Sequence, residues 1–308
     1  LELWGSLEVP ATYTERRYGK GKIIWGQGIS TGVDALYPLY SITATVLTNM
    51  GLPEDMEWSG NLRYTHRTGR DMDIYFVANK TAEPVEAEAV FRCVTGEPEL
   101  WDPVTGDMRT LAEFNKWDKQ TTIPLQFEPL QSYFIVFRKN ASTAAPSASQ
   151  NFPQYNELTT LSGAWDVSFD PKWGGPEQIV FEDLQDWTGR TEEGIKYYSG
   201  TAVYTKSFDL SLTENPGKNE RILLDLGEVH NMARVKLNGR DLGVVWINPW
   251  QVDITGVVRE RDNRLEIAVV NLWPNRLIGD EQLPDDGIKD RKWPEWLLEG
   301  KPRTSGRY

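Results

Sequence analysis

The sequence predicts a mainly β protein, with two antiparallel β-sandwich domains preceded by a single strand and helix. Three observations carry that expectation. Short segments alternate apolar and polar residues with period two, as strands with differently surrounded faces do. Turn residues such as Asn238-Gly239 stand between those segments. A small, polar, aperiodic stretch divides one such series from the next.

Taken in order, residues 1–57 hold a short apolar strand, Lys22 to Gly26, and a helix expected from about Asp34 to Met50, closed by Gly51 and Pro53. One strand and one helix make an incomplete unit. Residues 58–139 change to strands with turn punctuation: Asp73 to Asn79 reads as a buried strand, Val85 to Val94 alternates, and Tyr133 to Phe137 closes the series. Between them, Asp102-Pro103-Val104-Thr105-Gly106 is a turn, with Pro where φ must be fixed. This is expected to be a small β-sandwich. Residues 140–151, NASTAAPSASQN, read as a linker. In residues 152–308, Leu223, Asp225 and Gly227 alternate with Leu224 and Leu226, and Val235 and Leu237 repeat the rhythm before the Asn238-Gly239 hairpin. Asp241 to Trp246 follows as a strand, the loop Ile247-Asn248-Pro249-Trp250 leads into Val252 to Ile254, and Leu265 to Val270 is a β-branched run too short for a surface helix.

At these residues a resemblance becomes specific. Val235-Lys236-Leu237-Asn238-Gly239, Gly243 and Val252-Asp253-Ile254-Thr255 resemble the sugar-binding, galactose-binding-like jelly roll of family 2 glycosidases. Trp246-Ile247-Asn248-Pro249-Trp250 and the run Asn271 to Asp280 (NLWPNRLIGD) are similar to the C-terminal region of family-106 glycoside hydrolases, the α-L-rhamnosidases. The likeness extends to Glu99 to Pro103, Leu161 to Trp165 and Tyr197 to Ala202. It implies a fold of two β-sandwiches, the second a jelly roll, preceded by a short α/β remnant, the tail of an α/β domain. It also implies a catalytic (β/α) barrel upstream as partner, a plant-type glycan as ligand, and a periplasmic or extracellular bacterial location. The chain does not open on Met or a signal peptide and is expected to be an excised piece; at Arg303 to Tyr308 the resemblance implies continuation into a further strand.

Composition sets outer limits. The 308 residues suffice for two or three domains with real cores, and the net charge of -12 disfavours nucleic acid and anionic membrane surfaces as partners. No apolar run reaches the length of a membrane span, so membrane insertion is not expected. Thirteen Trp could face saccharides, but β-sandwich cores are expected to take most of them. Cys93 has no partner for an internal disulfide.

The chemistry is read largely by exclusion. His66 and His230 lack a His or Cys neighbour at metal-ligand spacing, and there is no phosphate loop, Gly-x-Ser-x-Gly elbow or Cys/His pair. No cofactor is required; a structural calcium is compatible with jelly rolls of this kind, though no EF-type loop fixes one. Glycoside hydrolysis needs two carboxyl groups about 5–10 Å apart. Glu182-Asp183, Glu192-Glu193, Asp280-Glu281 and Asp285-Asp286 are the candidates, each in a polar segment where solvated charge or a loop-pinning salt bridge is the ordinary explanation, so none is assigned a catalytic role. His66, within Arg63 to Arg67, is expected to be a strand-end histidine beside solvated arginines, with sugar or domain contact as the other reading. Asn79-Lys80-Thr81 and Asn140-Ala141-Ser142 match a glycosylation sequon that a bacterial source would leave silent. Trp246, Asn248, Trp250, Trp273 and Arg276 are the best candidates for glycan contact, because they flank loops and could wall a shallow polar cleft. The structural alternative has Trp250 plugging the sandwich and Asn248 satisfying its turn. Three functions remain: a non-catalytic accessory part of a glycoside hydrolase, an autonomous carbohydrate-binding module, or a glycosidase with a carboxylate pair between its β-domains.

Overall fold

The computed structural model describes residues 3, 7–30, 36–139, 150–211, 220–283 and 298–299. They form two compact units, one drawn from Leu1–Ala78, Glu86–Gln126 and Ser132–Asn151, the other from Asn79–Val85, Phe127–Gln131 and Phe152–Tyr308. Asp34, the Asn140 sequon, the body of the expected linker, Asp285-Asp286 and the terminal Arg303 to Tyr308 lie outside the described residues.

The first unit opens on an antiparallel hairpin of β1 (Thr14–Tyr18) and β2 (Gly21–Trp25), with Thr14 opposite Trp25 and Tyr18 opposite Gly21. The expected single strand therefore has a partner. Its sequence, TERRY, hides the strand because charges occupy an exposed hairpin that buries neither face. Helix α1 (Tyr40–Asn49) begins later than Asp34. Pro38 accounts for the start, since it lacks a donor and steers Tyr37 out of the α region. Gly51 ends the helix at φ +77°, which lets Leu52 N–H reach the Leu47 carbonyl at 3.0 Å.

The small sandwich follows as β3 (Met56–Trp58), β4 (Leu62–Thr68), β5 (Met72–Asn79), β6 (Val85–Phe91), β7 (Pro98–Trp101), β8 (Met108–Thr110), β9 (Asn115–Trp117), β10 (Gln120–Phe127) and β11 (Ser132–Arg138). One sheet orders them β3-β6-β10-β9 and the other β4-β5-β11-β7-β8. Strand β11, last in sequence, is central in space because it is the most continuously apolar. Tyr75 of one sheet meets Phe91 of the other edge-to-face at 4.9 Å, and Phe137 joins them. Asn151 is buried and behaves as an anchor: its Oδ1 accepts from Glu113 N–H (2.8 Å), its Nδ2 donates to Glu113 O (2.6 Å), and its own N–H donates to Glu113 Oε2 (2.8 Å).

The second unit contains β12 (Trp165–Phe169), β13 (Ile179–Phe181), the single turn α2 (Glu193–Lys196), β14 (Thr201–Phe208), β15 (Leu223–Asp225), β16 (Met232–Leu237), β17 (Arg240–Val245), β18 (Gln251–Asp253), β19 (Asn263–Val270) and α3 (Pro274–Glu281). Six strands run β13-β12-β14-β19-β16-β17, and β15 pairs with β18 in a second sheet. As expected, β16 and β17 turn at Asn238 and Gly239, both at positive φ (+52° and +80°), the signature of a two-residue hairpin. The core joins Trp165, Val167, Phe169, Phe181 and Tyr204 of one layer with Ile222, Val252 and Ile254. The expectation of two antiparallel sandwiches holds.

The described tryptophans divide between core and surface. Of the ten described, Trp165 and Trp187 are buried, four are half-buried, and Trp117, Trp173, Trp246 and Trp273 are exposed. Burying an indole requires a partner for its N–H, as Trp187 has in the Tyr204 hydroxyl at 2.6 Å. Phe, Tyr and aliphatic side chains fill most of the two cores instead.

Candidate functional site

Two of the exposed tryptophans meet in the second unit. Trp173 ends a single 3-10 turn, Pro171–Trp173, whose start is fixed by Asp170 Oδ1 accepting from Lys172 N–H (2.9 Å) and whose end is released by Gly174 at φ +86°. Trp273 stands where β19 passes into α3, immediately before Pro274, a residue suited to a first helical turn. Their rings lie 6.3 Å apart at 88°, edge to face. A cleft of about 310 Å³ opens beside them, lined also by Asp170, Tyr198, Ser199, Gly200, Thr201, Val270 and Asn271.

The floor of this cleft is rigid because its polar groups hold the backbone. Asn271 accepts from Gly200 N–H (3.0 Å) and donates to Tyr198 O (2.8 Å). Ser199 Oγ donates to Leu272 O (2.9 Å) and accepts from Arg276 N–H (3.1 Å). The Tyr198 hydroxyl donates to Thr201 O and accepts from Asp170 N–H. Burial pushes that phenol above its ordinary pKa, so it stays protonated. Arg276 joins the two walls: its Nη1 reaches Trp173 O at 3.4 Å while its Nε lies 3.2 Å from Asp280 Oδ1, one helical turn on. Gly279 lets α3 approach, since a Cβ there would fall 2.6 Å from Tyr197 Cβ. The NRLIGD run thus sets the position of Trp273.

The structure divides the candidates read from sequence. Trp273 lines the cleft and Arg276 braces it. Trp246, Asn248 and Trp250 do not line it: Trp246 is exposed just after β17, the Asn248–Pro249 peptide is cis, and Trp250 is half-buried against the core with its carbonyl accepting from Leu226 N–H. Sequence reasoning missed Asp170 and Trp173. The signal was a Pro-Lys-Trp-Gly-Gly turn directly after a strand, which puts a large aromatic where nothing covers it.

The described acidic candidates are engaged or solvated. Asp280 pairs with Arg276, and Glu192 is held below the ordinary carboxylate range by hydrogen bonds from Arg190. A second, open depression of about 800 Å³ carries two carboxylates, Asp166 and Glu177, with Ser168, Gln178 and Thr205 but no aromatic side chain.

In the first unit His66 departs from the solvated strand-end reading. It lies within β4, stacked on Tyr75 (centroids 4.0 Å, 5°), with Nδ1 3.2 Å from Asp55 Oδ2 and Nε2 3.1 Å from Asp73 Oδ1. Arg92 pairs with the same Asp55. Burial alone would raise the Asp55 pKa; hydrogen bonds from Arg92 and His66 outweigh it and hold the carboxyl below its usual range. The Cys93 thiol points to Asp73 Oδ2 (3.8 Å) rather than to the imidazole, and burial raises its pKa, so it is no activated nucleophile. Among the described residues no group of three or more His, Cys, Asp or Glu side chains is arranged to hold a metal ion, and no helix is long and apolar enough to cross a membrane.

Fold and sequence together define a chain of glycoside-hydrolase-related domains. Residues 1–116 match the alpha-L-rhamnosidase family model, and residues 183–302 match the model described as glycosyl hydrolase 2 galactose-binding domain-like. Over 95% of its length the chain is similar to a rhamnosidase structure from Novosphingobium sp. PP1Y, at 31% identity and a TM-score of 0.67, covering 26% of that protein. Over 151 residues, 48% of the chain, it is 44% identical to a Formosa agariphila protein named "Putative beta-glucuronidase" and spans 13% of that relative.

Proposed function

We propose that this chain is a non-catalytic accessory part of a glycoside hydrolase resembling α-L-rhamnosidases, which supports a catalytic barrel of the same parent protein and contacts its glycan. The observation that carries this reading is the extent of the likeness: nearly all of the chain corresponds to about a quarter of a rhamnosidase. The site chemistry agrees with it. Retaining and inverting glycosidases need two carboxyl groups flanking one bond, about 5–10 Å apart, inside a shaped cleft. In the second unit the aromatic cleft carries one carboxylate, Asp170, while Asp166 and Glu177 share a depression open to solvent. A periplasmic or extracellular location in a glycan-degrading bacterium fits the proposed role.

The exposed Trp173–Trp273 cleft favours a second reading, an autonomous carbohydrate-binding module. Hydrolysis separates these readings from a catalytic one. The chain alone is expected to leave an aryl α-L-rhamnoside and an aryl β-D-glucuronide intact, and its removal from the parent is expected to lower the parent's stability. Cleavage by the chain that is abolished in Asp166→Asn or Glu177→Gln would overturn the accessory role.

A further inference from the structure

We infer that the Trp173–Trp273 cleft binds one neutral pyranose residue of a glycan and discriminates against uronic acids; this rests on the glycan-contact reading above and supplies its residues and its ligand class. Two indoles that remain 44% and 62% exposed form an apolar surface outside the buried cluster of the unit. Their perpendicular packing sets one ring's edge against the other's face. A pyranose presents a face of C–H groups that packs on an indole, and its rim of hydroxyls requires polar partners. The volume of about 310 Å³ is at the lower end of small-molecule sites, suited to one sugar ring.

The polar lining selects among sugars. Asn271, Ser199 and Tyr198 are committed to the backbone and act as walls. Asp170 uses Oδ1 on Lys172 N–H, while its Oδ2 and the Thr201 hydroxyl have no hydrogen bond among the described residues; both side chains are exposed and both residues line the cleft. A carboxylate accepts hydrogen bonds from adjacent sugar hydroxyls but repels a ligand carboxylate. Among the described residues that line the cleft there is no lysine or arginine to reverse that preference. The guanidinium of Arg276, which braces the cleft, is directed to Asp280 and to the Trp173 carbonyl. The net charge of -12 acts in the same direction.

Calorimetric titration of the whole chain with methyl α-L-rhamnopyranoside, methyl β-D-galactopyranoside and methyl β-D-glucopyranosiduronate tests this. Saturable binding of at least one neutral glycoside on the order of 1 mM is expected, at least about tenfold tighter than the uronide. Trp273→Ala and Trp173→Ala should each weaken it about tenfold or more, and Asp170→Asn should bring the neutral and acidic sugars towards equal affinity. Trp117→Ala, which removes an exposed indole from the other unit, should change nothing. Equal binding of the uronide, no saturable binding of either neutral sugar, or unaltered binding by a folded Trp273→Ala variant would each refute the site. If the tryptophan variants fail to fold, the Asp170→Asn comparison still decides. Absence of binding sinks this site and leaves the accessory role standing, whereas glycoside hydrolysis by the chain sinks the accessory role and leaves this site standing.

Discussion

In the first unit charged and amide side chains are drawn inward and matched to one another, whereas in the second the polar groups around the cleft hold the backbone and two indoles are left facing water. His66 lies between Asp55 and Asp73, and Asn151 exchanges three hydrogen bonds with Glu113. The inward His66, Asp73 and Asn151 groups answer specific partners, which is what keeps a desolvated polar atom from being destabilising; the buried Tyr75 hydroxyl, with no hydrogen-bond partner among the described residues, is the exception. Around Trp173 and Trp273 the order is inverted: the hydrogen bonds hold the backbone of the walls, and the two indoles are left exposed. Matched burial describes scaffold, and rigid unmatched surface describes a place for a ligand.

Removing the aromatic core of the second unit should have the largest effect. Phe181 is fully buried, packs against Phe169 and Tyr204, and has the Arg190 guanidinium over its ring at 4.5 Å. Phe181→Ala is expected to destabilise by about 3–5 kcal/mol in urea unfolding. A loss under about 1 kcal/mol would mean that this core is not organised by its aromatic cluster. Asn151→Ala comes next, at about 2–3 kcal/mol, because it leaves the Glu113 N–H and C=O without their partner. Asn151→Asp should recover little, since it keeps the acceptor but loses the donor.

The histidine bridge is smaller in effect because it is only partly buried. His66→Gln is expected to cost about 1–2 kcal/mol, discounted for solvent at Asp55. The accompanying pH dependence has a definite sign. Asp55 is held below its ordinary value of 3.8 in the folded state, so its contribution is present above 3.8 and disappears as pH falls through the folded value. Thermal melts across about pH 2–6 should show a steeper acid decline for the natural chain than for Asp55→Asn. Identical acid limbs would show that the Arg92 and His66 contacts do not stabilise the ionised carboxyl.

The strands β6 and β16 were legible because burial of one face writes period two into the residues, and β5 and β19 because they are short apolar runs rich in β-strand formers. Strand β1 was not, since an exposed hairpin imposes no such pattern. The Asn238-Gly239 turn was legible because few residues accept two successive positive φ angles. Half of the cleft was legible too: Trp273 and Arg276 belong to a motif, while Trp173 lies 100 positions away and meets them only in the fold, ring to ring with Trp273 and through its carbonyl with Arg276. The roles of Asp55, Asp73 and His66 were illegible for the same reason, as the pairing crosses strands whose register no local pattern reports. The buried side chain of Asn79 shows the converse: it reads as a sequon, yet it donates to Glu83 O and Glu128 O and accepts from Thr81, which removes it from any surface chemistry in the folded state.

The smallest expected effect is the most discriminating. If Trp273 were a structural aromatic like Phe181, its truncation would open a cavity and destabilise by about 3 kcal/mol or more. Trp273 is 62% exposed, and the backbone on either side of it is held by Ser199 Oγ, which donates to Leu272 O and accepts from Arg276 N–H, while its own carbonyl accepts from Leu277 N–H, so little that holds the fold depends on its ring. Trp273→Ala should therefore shift unfolding by less than about 0.5 kcal/mol, as surface substitutions do. Trp173→Ala should cost slightly more, because its ring is less exposed and its carbonyl receives the Arg276 guanidinium. A melting temperature unchanged by Trp273→Ala, alongside lost sugar binding, is the combination that a scaffold residue cannot produce; a large stability loss would place this indole with the core and remove the contrast between the two units.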